Sequence, residues 1–137
     1  MLIAAMLCNC LAAVLFLVGA AKYGRGPVPV TYHKLILEAE GSTLSPGQLL
    51  ILRGVYRALA GAMLAIGVMI IALTLGPVRN GELWAEVALM LAGTGFVSGS
   101  YLTPKRIEEA TGVQTPWRLA LLMGGSMLAG FVFAQLA

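Results

Sequence analysis

The chain has 137 residues, of which 59% are hydrophobic and only 11% charged, with a formal net charge of +3. Soluble domains carry about a quarter of their residues as charges, so this composition excludes an ordinary water-soluble fold and calls for lipid around the apolar surface. It also leaves no room for a separate soluble domain, and the basic residues fall at expected helix ends rather than in a stripe, which excludes a nucleic-acid surface and fits anionic lipid headgroups.

Four stretches hold no charged side chain: 1–21, 58–78, 87–104 and 119–137, with 21, 21, 18 and 19 residues. A hydrocarbon core of about 30 Å is crossed by roughly 20 apolar residues at the 1.5 Å rise of a helix. The expected fold is therefore all-α: a single four-span transmembrane helical bundle, with spans over about 2–22, 49–75, 83–103 and 116–136.

The first run has no basic segment before it and exceeds the 7–15 apolar residues of a signal peptide, so it reads as a retained span. It contains Cys8 and Cys10, expected to pack as small apolar residues, and Asn9, an amide that needs a partner on another helix. In the first connection, Gly24, Gly26, Pro27 and Pro29 stop the helix; Thr31 is expected to cap a short interfacial helix through Glu40, closed by Gly41. This segment carries Tyr32 and the single histidine, His33. No second histidine or suitable cysteine stands near it, so no metal site and no cofactor is expected.

Ser45, Pro46, Gly47 and Gln48 spell an N-cap, a proline at N1 and a capping-box glutamine. The helix that follows should end near Leu75, with Gly76 left-handed and Pro77 blocking continuation. Arg53 and Arg57 lie one turn apart at its membrane edge, where they can snorkel to lipid phosphate or combine with Lys105 or Arg106 as an anion site. Asn80 is expected to cap the third span. Glu86 stands in that span's first turn, where it can serve the helix dipole or pair with Arg79; the sharper reading is a transporter's proton or cation group. Thr103 and Pro104 suggest a break, with a short turn ending near Gly112, and Thr115 with Pro116 should start the fourth span. Gly95 and Gly99 form a GxxxG pair expected to make close helix contacts, and Gly61 with Ala65, Gly125 with Ala129 and Ser126 with Gly130 repeat the spacing.

Lys22, Arg25, Lys34, Arg53, Arg57, Lys105, Arg106 and Arg118 fall on one side of the expected topology and only Arg79 on the other. The positive-inside rule then makes the first and third connections cytoplasmic and turns both termini outward, in a bacterial inner membrane.

The strings Arg79-Asn-Gly-Glu82-Leu-Trp84-Ala85 and Thr111-Gly112-Val-Gln-Thr115-Pro116-Trp117, together with Tyr32-His33 and the Gly61–Gly67 segment, resemble a group of small uncharacterised bacterial four-helix integral membrane proteins. That resemblance implies the fold and the location and no catalytic residues. In length and in the arginines of the second helix the chain is also similar to the four-span glutathione and eicosanoid enzymes, but Ala58, Leu59 and Ala60 stand where those enzymes carry an Asn and a Glu. The expected function is thus non-catalytic, through contacts with anionic membrane lipids or association with itself or another membrane protein. The alternatives are an enzyme or amphiphile-binding protein with a cytoplasmic-face pocket near Tyr32, His33, Arg53, Arg57 and Tyr101, and a small transporter using Glu86.

Overall fold

The computed structural model describes residues 1–137 and contains helices only: α1 (Leu2–Arg25), α2 (Thr31–Ala39), α3 (Pro46–Leu73) running into a π-helical turn (Thr74–Val78), α4 (Leu83–Thr111) and α5 (Trp117–Gln135). Four of them, all but α2, are long and apolar enough to cross a membrane. α2 is a nine-residue helix with no buried residue, too short to span.

α1 is the centre of the bundle. It packs along α3 on one side and α5 on the other, and α4 packs along α5, so α3 and α4 meet chiefly at the π-helical turn that joins them. The buried positions of α1, Ala5, Asn9, Ala12, Ala13, Phe16, Gly19 and Ala20, recur every three to four residues, which makes one continuous stripe. Most are small, and in lipid, where apolar surface gains little from burial, close backbone approach supplies the packing energy. Across the interior, Phe16 meets Phe96 of α4 edge-on with ring centres 4.9 Å apart.

Of the glycines at the four-residue spacing, only Gly130, paired with Ser126, stands at a tight contact. A Cβ at Gly67 would meet Leu17, one at Gly93 would meet Met127, one at Gly124 would meet Val97 and one at Gly130 would meet Asn9, whereas Gly61, Gly95, Gly99 and Gly125 have open space where a side chain would stand. The expectation that Gly95 and Gly99 form a packed face is therefore corrected. α4 lies against only one neighbouring helix along its length, and no atom stands within 4 Å of where a Cβ would be at either glycine.

Helix ends follow local chemistry in part. Ser45 Oγ accepts from the Gln48 backbone N–H and the Ser45 N–H donates to Gln48 Oε1, the full capping box. Gly41 and Gly112 take the left-handed conformation beyond α2 and α4. Gly76 does not: the chain continues past it, and Gly81, with φ of 78°, makes the turn. The reason is Pro77, which lacks an N–H and crowds the preceding turn; widening to a π-helical turn absorbs it, with the Arg79 N–H donating to Thr74 O at 3.2 Å. Asn80 caps nothing. Glu82 is the N-cap of α4, makes no side-chain cap bond, and instead accepts from Trp84 Nε1 at 2.6 Å.

The break expected at Thr103-Pro104 is also absent, since α4 passes through Pro104. The turn beyond the proline is held from outside the helix. Glu108 accepts from the Thr115 N–H (2.8 Å), Trp117 Nε1 (3.0 Å) and Arg118 Nη2 (3.0 Å), while the Thr115 hydroxyl donates to the Pro104 carbonyl at 2.8 Å. Thr115 is thus spent on α4 rather than on capping α5, whose N-cap is Pro116 with no side-chain bond.

Candidate functional site

Because α3 and α4 part company away from the π-helical turn, the opposite end of the bundle contains a cleft of about 390 Å³. One stripe of α4 forms a wall of it: Phe96, Gly99, Ser100, Thr103, Pro104 and Ile107 repeat at helical spacing. Leu59 and Met63 of α3 face them, Leu119, Ala120 and Met123 of α5 line the back, and Gly19, Lys22 and Tyr23 come from α1. The open Cβ side of Gly99 is therefore cleft wall, not helix interface. Methionine and aromatic side chains at the floor suit an apolar guest of irregular shape.

α2 folds back over the mouth and contributes Tyr32 and His33 to the lining. Its position is set by one hydroxyl. Tyr56 of α3, 3% exposed, accepts from the Val30 N–H at 3.3 Å and is hydrogen-bonded to His33 Nδ1. With its oxygen already accepting from Val30, the phenol has its own proton to give, so His33 Nδ1 is the acceptor and the Nε2–H tautomer follows. Burial pushes the His33 imidazole below its ordinary range, and burial with the neighbouring Tyr23 pushes the Tyr32 phenol well above its own. The rim is thus neutral apart from Lys22, the one charged residue in the lining.

A histidine that docks neutral and titrates near pH 6.5 when released makes docking pH-dependent. The released state binds the proton more readily, so docking is fully favourable above about pH 6.5 and weakens as pH falls below it. A nitroxide on Glu38→Cys, in a background with Cys8 and Cys10 replaced by Ala, should gain mobility as pH drops through that range. His33→Gln should abolish the dependence.

The other residues singled out by sequence lie elsewhere. Tyr101 packs edge-on against Trp117 with centroids 5.8 Å apart and accepts from Lys105 Nζ at 3.1 Å, outside the cleft lining. Lys105 also faces Glu109 at 3.9 Å. Arg53, Arg57 and Arg106 are exposed and belong to no ion pair, and neither arginine of α3 lines the cleft. Arg118 is engaged by Glu108 and lies over the Trp117 ring at 4.5 Å.

Asn9 and Glu86 do come together. They are 0% and 2% exposed, and Asn9 Nδ2 donates to Glu86 Oε1 at 2.9 Å across 77 residues of sequence. The expected partnership of Glu86 with Arg79 is corrected: Arg79 forms no ion pair, and the carboxyl turns inward to α1 rather than outward to its own helix end. Sequence reasoning missed Tyr56 and Glu108. Tyr56 lies one turn from Arg53 and Glu108 among other charged residues, and no local pattern in the sequence sets either apart.

No protein-family model, curated protein or solved structure matches this chain.

Proposed function

We propose that the chain is a non-catalytic multi-pass protein of a bacterial inner membrane that works through lipid contacts, with the cleft between α3 and α4 as the seat of one amphiphile. The observation that carries this reading is the cleft itself: about 390 Å³, walled largely by apolar, methionine and aromatic side chains, with Lys22, Tyr32 and His33 among its few polar groups. Pockets that hold small ligands run to roughly 300–1,000 Å³ with a few placed polar groups, and a lipid-facing cleft is reached by guests already dissolved in the bilayer. An acyl chain suits the walls, and an anionic headgroup suits the single cation at the rim. The excess of Lys and Arg on the first and third connections supports a cytoplasmic mouth for the cleft, the side on which anionic lipids would attract it further.

Ser100→Trp puts an indole into the cleft, and Leu91→Trp puts the same group on an exposed face of the same helix. Native mass spectrometry from mild detergent should show a retained amphiphile in the wild type and in Leu91→Trp, and its loss in Ser100→Trp. Equal retention in all three overturns the reading.

A further inference from the structure

Glu86 is the one buried carboxyl inside a membrane-crossing helix, and its surroundings do not balance a charge. Its Oε1 has a single donor, Asn9 Nδ2 at 2.9 Å, and the three ion pairs of the molecule, Lys34–Glu38, Lys105–Glu109 and Arg118–Glu108, all lie elsewhere. Its other oxygen, Oε2, is buried without a partner, and so is Asn9 Oδ1, the acceptor of the same amide. An ionised carboxylate held by one neutral donor in an apolar interior is costly, and two buried acceptors with no donor add to that cost.

One proton removes both defects. Placed on Oε2, it turns an orphan acceptor into a donor, and Asn9 Oδ1 is the unfilled acceptor on the group already bonded to the acid. An acid and an amide side by side can share two hydrogen bonds in place of one. A cavity of about 400 Å³ at this end of the bundle is lined by Arg79, Asn80, Glu82 and Glu86 among others, so the residue bearing the acid borders space open to the outside. We propose that Asn9 and Glu86 form a proton-binding site that joins α1 to α4 and is loaded through this vestibule. The groups around it fit: α1 brings Cys8 and Cys10 beside Asn9, the turn before α4 brings Arg79 and Glu82, and α5 contributes no charged side chain at this end. The buried Thr74 hydroxyl, also without a partner, sits in the π-helical turn that packs on α1 and α4. Asn9 Oδ1 and Glu86 Oε2, both without a donor, would also accept a small metal cation, which is the competing occupant.

Infrared spectra of the protein in bilayers at neutral pH should show the C=O stretch of a protonated carboxylic acid that shifts in D₂O. Glu86→Gln should lose that band yet keep the native melting temperature, because its amide can both donate and accept at the same place. Should that variant fail to fold, Glu86→Asp serves instead, by displacing the band rather than removing it. Carboxylate bands alone in the wild type overturn the proposal, and a band that ignores D₂O overturns loading through the vestibule. A melting temperature raised by sodium chloride over choline chloride in the wild type, and not in Glu86→Gln, makes a metal cation the occupant and overturns the proton.

Discussion

Gly130→Ala is expected to destabilise the protein by about 3 kcal/mol, the upper end of the cost of forcing a methyl group into a packed interior, whereas the much larger Gly95→Leu is expected to leave the melting temperature in detergent unchanged. The contrast rests on what each new Cβ would meet. At Gly130 it would collide with the Asn9 side chain and lie 3.4 Å from the Ala5 carbonyl. Asn9 cannot swing aside without giving up its bond to Glu86, and the Ala5 carbonyl is helix backbone, so neither neighbour yields cheaply. Gly93 is a gentler case, because the obstacle there is the tip of Met127, a flexible side chain. At Gly95 nothing lies within 4 Å. A large loss of stability in Gly95→Leu would mean that the open face of α4 is covered by another molecule. A tolerated Gly130→Ala would mean that α1 and α5 are packed less closely than these distances require.

The four long helices were legible because the signal is cumulative: a charge-free run of about 20 residues is hard to place anywhere but across a bilayer. Helix ends were less legible where a proline stood near them. Pro77 and Pro104 both read as stops, yet the first is absorbed by a π-helical turn and the second is overridden by Glu108, whose three donors come from residues seven to ten positions further on. Neither compensation is visible in a local window. The packing glycines were illegible for a different reason. In helices this rich in Gly and Ala the four-residue spacing recurs on every face, and only the order of helices around α1 decides that Gly130 is enclosed while Gly95 is bare. For Asn9 the need for a partner could be read from one residue, but not its identity. α1 and α4 lie diagonally across the bundle and touch through side chains long enough to reach across it, Phe16 to Phe96 and Asn9 to Glu86.

The same distinction holds for the cleft. Tyr32 and His33 were legible as an interfacial pair, and they line its mouth. Arg53, Arg57 and Tyr101 were grouped with them because all fall at the same end of their helices, but height along the bundle says nothing of rotation about each axis. Tyr101 is turned to Trp117, and the arginines face outward. Basic residues at that level therefore include some engaged within the protein, Lys105 and Arg118, and some exposed without an ion-pair partner, Arg53, Arg57 and Arg106.

Tyr56→Phe is expected to release α2 from the mouth of the cleft while leaving the four long helices intact. The substitution keeps the ring, and with it the edge-on contact to Tyr23 at 5.5 Å, but removes the hydroxyl that serves two groups at once. Val30, 1% exposed, would be left with a buried N–H lacking an acceptor, and His33 Nδ1 would lose its donor. Leaving a buried polar group unsatisfied costs about 1–3 kcal/mol, which corresponds to roughly a 10- to 100-fold shift in an opening equilibrium. Backbone amides of 31–39 should exchange faster by about that factor, and the nitroxide on Glu38→Cys should become mobile at neutral pH, as it does in the parent protein only under acid. Because α2 has no buried residue of its own, few other contacts in the protein can hold it. Unchanged exchange in Tyr56→Phe would therefore assign its anchorage to Leu35, Ile36 and Leu37 dipping into lipid, and the cleft would have a lid held by the membrane instead of by Tyr56.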